Sequence, residues 1–179
     1  MTTKSKLFLF ATLFIGILFA SCKKDDFNYQ SDFEKSYKEW IKFKGASDNS
    51  YRYTVGGGSW VGMGWQTVIT VNAGKVVQRY FKLSFPAGWT GTIPDADEIE
   101  WTENENEINS HEHTSAAAEA ITLDEIYEKA RSNWLKKRSN AKTYFEAKNN
   151  GLISSCGYIE NGCQDDCFTG TSITSIELL

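Results

Sequence analysis

Apolar residues recur along this chain with two periods, and each change of period marks a new element. Phe33, Tyr37, Trp40 and Ile41 follow one another at helical spacing, with Ser31 and Glu34 in capping-box order ahead of them and Gly45 behind. A helix is predicted there. Tyr51, Tyr53 and Val55 then alternate with polar residues, as in a half-buried strand, and Gly56, Gly57 and Gly58 read as a turn. Residues 66–71 and 75–83 predict a hairpin about Asn72, Ala73 and Gly74. Helical spacing returns after Thr122 and Glu125, a second capping box, with Ile126, Tyr127, Ala130 and Trp134 on one stripe. Lys136, Lys137 and Arg138 fall near the end of that helix, where its dipole favours cations. Residues 142–148 and 152–159 predict another hairpin about Asn149, Asn150 and Gly151, and residues 171–178 a closing strand.

The pattern says one thing twice, a helix followed by three strands. The expected class is α+β, an antiparallel sheet packed by two helices, with residues 31–179 as one domain. Between the two units lies an irregular insertion, residues 84–120. Its acidic run, residues 95–107, is interrupted by Trp101. A solvated loop or edge strand is expected there, and a long loop in a compact domain is also a candidate binding element.

Ahead of the domain the chain carries a different signal. Lys4 and Lys6 precede thirteen uncharged residues, 7–19, and the small pair Ala20 and Ser21 leads to Cys22. This is the three-part form of a secretory signal peptide, residues 1–21. The apolar run is shorter than the ~20 residues that a spanning helix needs. A cleavage site requires only small residues, so a cysteine at the cut points to use of the thiol. The stretch FASC resembles the lipobox of bacterial lipoproteins, with Phe19 where leucine is usual. That resemblance implies acylation of Cys22, a tether over residues 22–30 and attachment to a membrane through the acyl chains. Lys24, Asp25 and Asp26 resemble the export signal of Bacteroidota-type surface lipoproteins, which implies the outer membrane and a surface-exposed position.

Charge narrows the partners. Loss of residues 1–21 lowers the basic count from 19 to 17 against 23 acidic residues, a net charge of −6. Such a surface argues against nucleic acid. The 41% apolar and 14% aromatic content argues for a packed core and against disorder.

The order Trp40, YRYTV, VITVNAGKVV, TLDEIYEKA and NNGLISSCGYI resembles a domain of uncharacterised function found in small bacterial lipoproteins. The resemblance runs from Phe33 to Leu178 and rests on structural motifs. It implies an α+β sheet domain and transfers no catalytic residue. The insertion and three distal cysteines depart from the simpler pattern.

Those cysteines are Cys156, Cys163 and Cys167. Outside the inner membrane thiols pair, and an odd number leaves one over. Cys163 with Cys167 is the favoured disulfide, since both lie in one glycine-bounded loop. Cys156 with Cys167 also fits facing strands, and a zinc site from the three thiols with Asp165 or Asp166 is the third reading. His111 and His113 flank Glu112, and residues two apart in an extended chain point the same way, so they are weak candidates to hold a metal ion. The phosphate-loop, zinc-helix and nucleophile-elbow motifs do not occur, no cofactor is called for, and no catalytic residue stands out. Trp60, Trp65, Trp89 and Trp101 fall in or near turns and the insertion, where tryptophan serves protein or carbohydrate contacts. The expected function is therefore that of a membrane-anchored, non-catalytic binding or accessory module of the envelope, with an unidentified protein or carbohydrate partner. The alternatives are a metal-dependent hydrolase using His111 and His113, and an inhibitor or accessory protein of an envelope enzyme.

Overall fold

The structure, a computed structural model, describes residues 26–109, 117–165 and 167–179. Helix α1 (Gln30–Ala46) leads into β1 (Tyr51–Gly58), β2 (Gly64–Asn72) and β3 (Lys75–Ser84). A single turn, α2 (Ala96–Ile99), precedes β4 (Glu100–Asn104), and α3 (Leu123–Lys129) runs straight into a π turn (Ala130–Trp134). Strands β5 (Ala141–Glu146), β6 (Ser155–Glu160) and β7 (Thr169–Leu178) complete the chain.

The expected α+β class, with two helix-plus-three-strand units under two packing helices, is not what the chain builds. One antiparallel sheet dominates, in the order β4-β3-β2-β1-β7-β6-β5. The second helix contributes only seven α-helical residues before the π turn. Nor are the two strand triplets separate units, because β1 pairs with β7 from Tyr51↔Leu178 to Val55↔Ile173 and fuses them. The insertion adds β4 as an edge strand beside β3. The glycine run extends the sheet too: Gly56, Gly57 and Gly58 pair with Gln66, Trp65 and Gly64, and the turn falls on residues 59–63 instead.

Two hairpins follow local chemistry. Ala73 and Gly74 have φ 48° and 81°, and Asn150 and Gly151 have φ 53° and 87°. Positive φ at both central residues gives the turn whose twist matches that of antiparallel strands. The Thr122–Glu125 capping box forms in full. The one expected at Ser31 does not. Helix α1 starts two residues earlier, behind Tyr29 at φ 59°, with no side-chain cap. Asn28 donates to Thr143 Oγ1 (2.7 Å) and the Tyr29 hydroxyl to Thr143 O (3.3 Å), so contacts to β5 set the start of the helix.

Helix α1 buries Phe33, Ser36 and Trp40, whereas Ile41 is 48% exposed and lies off the buried stripe. Phe33, Trp40, Tyr51, Tyr53 and Tyr127 pack edge-on, stacked or tilted around the middle of the sheet. Their polar atoms are satisfied. Ser36 Oγ lies 2.7 Å from the Tyr127 hydroxyl, which also accepts from the Ile153 N–H (3.1 Å). Tyr51 Oη accepts from the Leu123 N–H (2.9 Å), and the Trp40 indole donates to Asp124 (3.0 Å). Asp124 also meets Lys44 at 2.7 Å, which docks the start of α3 on the end of α1.

Candidate functional site

The inward row of β1 reads Tyr51, Tyr53, Val55, Gly57, and the core thins out in that order. Beyond Val55 the missing side chains leave a pocket of about 630 Å³ at one end of the sheet. Five segments meet there: the glycine end of β1, the start of β2 with Trp65, the return of the insertion at residues 118–121, the α3–π turn segment, and the start of β7.

Trp65, facing Gly57 across the β1–β2 pair, forms the floor. A Cβ on Gly57 would sit 2.6 Å from the Trp65 ring, so the glycine lets the indole lie flat over the strand. Trp134 and Phe168 supply two more aromatic walls. The π turn is what delivers Trp134: the Leu135 N–H bonds to Ala130 O (2.9 Å), five residues back, and the widened turn shifts the following side chains. Arg138 then donates to Asn133 O (2.9 Å) and Trp134 O (3.3 Å) while stacking 3.8 Å from the Tyr158 ring centre, which fixes the turn. Tyr53 closes the deep end, its hydroxyl donating to Ile121 O (2.5 Å). Burial holds that phenol well above its ordinary range. Glu119, exposed at the rim and paired with Lys129, is the carboxylate of the pocket lining.

The sequence-predicted residues divide. Trp65 lines the pocket. Trp60 stands 96% exposed on the turn between β1 and β2. Trp89 folds back on its own loop, 5.8 Å from Phe85, its indole N–H reaching Thr92 O at 3.4 Å. Trp101 is part of the sheet edge, stacked on Phe81 (5.3 Å) under the Arg79 guanidinium (4.9 Å). On that same edge Arg79 pairs with the fully buried Glu103 at 3.4 Å, and Glu103 also accepts from the Asn109 N–H (3.1 Å).

Cys163 and Cys167 form a disulfide, two of the three thiols of the zinc reading. Cys156 is the free cysteine among the described residues; it lies buried in β6, and burial pushes its thiol up to about 12. The disulfide loop ends against the pocket, because Phe168 follows Cys167 directly. Asp26 is exposed, its N–H donating to Gln30 Oε1 (2.7 Å). Cys22, Lys24, Asp25, His111 and His113 lie outside the described residues. Among the described residues no three His, Cys, Asp or Glu side chains are grouped to hold a metal, and no helix is long and apolar enough to cross a membrane.

Sequence reasoning missed Phe168 and Glu119 and took Trp134 for core alone. The usable signal was GGGSWVGMGW, where glycines without side chains face a tryptophan. A larger depression, about 850 Å³, runs along α1 beside Tyr37, Ile41 and Phe145; charged side chains such as Lys35, Glu39 and Lys42 rim it, while most of its exposed lining is apolar. No family model, curated protein or solved structure matches the chain.

Proposed function

We propose that this chain is an acyl-anchored lipoprotein of the cell envelope, a non-catalytic binding or accessory module whose ligand enters the Trp65 pocket. The anchor reading is supported by the basic, apolar and small-residue order ahead of Cys22, and the surface position by Lys24, Asp25 and Asp26. The observation that carries the binding reading is the Trp65 indole lying over Gly57 in a pocket that Trp134 and Phe168 also line. A half-buried aromatic platform suits a ring with an apolar face, such as a sugar ring, because it offers large contact area at low entropic cost.

Titration of a soluble glycan series, followed by tryptophan fluorescence and NMR line broadening, tests the pocket. Binding is expected to vanish in Trp65→Ala and to persist in Trp89→Ala. A glycan that binds both variants equally, or a full series that binds neither parent nor variant, removes the carbohydrate reading. For the anchor, radiolabelled palmitate should enter the parent, and Cys22→Ser should leave the membrane fraction. Alanines at Lys24, Asp25 and Asp26 should lower surface protease sensitivity, and unchanged sensitivity makes those residues tether alone.

A further inference from the structure

The turn between β1 and β2 carries an apolar tip that the pocket does not use. Trp60 is 96% exposed and Val61 36%, and a Cβ on Gly62, at φ 88°, would lie 3.4 Å from Pro86. A tryptophan side chain buries ~150–250 Å² when covered, and its amphipathic ring favours the headgroup level of a bilayer.

The tether leaves the domain at this same end. Phe27 bridges to Lys136, and the Asn28 N–H bonds to Leu135 O (2.8 Å). Trp134, the residue before Leu135, shares the pocket with Gly58, the last residue of β1 before the tip. Cys22 precedes Asp26 by four residues, a span of at most ~14 Å. Residues 130–145 add charge of one sign, with Arg131, Lys136, Lys137, Arg138 and Lys142 and no acidic residue. Lys136 and Lys142 are exposed.

We infer that this end of the sheet lies on the lipid surface, with Trp60 and Val61 in the headgroup layer of an anionic bilayer and Lys136 and Lys142 against its phosphates. The anchor reading enters only through the tether. A basic residue near an anionic leaflet contributes through a field that fades within a Debye length, so a tether of four residues is what keeps these lysines in range. The pocket then sits beside the membrane.

The test places a bimane label on Val61→Cys or on Ala73→Cys, which caps the opposite end of β2, in full chain bound to phosphatidylethanolamine–phosphatidylglycerol vesicles containing spin-labelled lipid. Quenching is expected to be several-fold stronger at position 61. Adding Trp60→Ser, or Lys136→Glu with Lys142→Glu, should reduce it. Equal quenching at the two positions overturns the inference, as does shielding of position 61 by an added envelope protein without lipid quenching. Palmitate incorporation is scored separately, so failure of the anchor reading is recognised on its own. An unacylated chain is then held on the same vesicles by an N-terminal histidine tag and nickel-chelating lipid, where equal quenching again overturns the inference.

Discussion

Strand β1 has a filled end and an emptied end. At Tyr51 and Tyr53 its inward side chains are fully buried among Trp40, Phe43 and Tyr127, with hydroxyls bonded to Leu123 and Ile121. Four residues further on, Gly57 offers only backbone, and Trp65 leans into the space. Both ends are sheet with the same ladder to β2. A strand can therefore carry stability at one end and a ligand pocket at the other simply by tapering its inward row, because ladder hydrogen bonds do not depend on side-chain size.

If that division is right, truncation should be costly at one end and nearly silent at the other. Trp40→Ala should lose about 3–5 kcal/mol of stability in urea unfolding, since it opens a cavity and removes the hydrogen bond to Asp124, which keeps Lys44. A loss below about 1 kcal/mol would break the comparison.

High pH should also strike the filled end. Burial raises the Tyr51, Tyr53 and Tyr127 phenols and lifts the Cys156 thiol to about 12. The unfolded chain releases these protons at about pH 8.5 for the thiol and about pH 10 for the phenols. Their stabilisation is complete below those values and declines as pH rises toward the folded values, at ~1.4 kcal/mol per unit for each group. Melting followed from pH 8 to pH 12 should fall with a step that Cys156→Ala softens at its lower edge. A flat profile would contradict the burial.

Smaller effects are expected at the open end. Reducing Cys163–Cys167 should cost about 2 kcal/mol, the loop-closure entropy of a short ring, and should also alter glycan affinity through Phe168. Gly57→Ala should cost about 1 kcal/mol, because the half-exposed Trp65 ring can swing away, yet abolish binding. Unchanged binding in that variant would mean that the Trp65 seat is not the platform. Smallest is Trp60→Ser, within about 0.5 kcal/mol, as the ring covers nothing in the domain.

What the chain determined by itself is what two to five neighbouring residues can decide. The Ala73–Gly74 and Asn150–Gly151 turns, the Thr122 cap and the alternation of Tyr51 with Tyr53 all rest on backbone sterics, capping bonds and side-chain period. Where a distant partner had to be chosen, local rules misled. Three glycines look like a turn until Gln66, Trp65 and Gly64 pair with them, and Ser31 looks like a cap until Thr143 holds Asn28 and Tyr29 in place. The β1–β7 pairing that makes one sheet of two triplets joins residues more than a hundred positions apart, so no periodicity records it. The pocket belongs to the same class. Its floor and walls come from five segments of the chain, and a cavity is defined by what fails to meet there, a property that only the packed chain possesses.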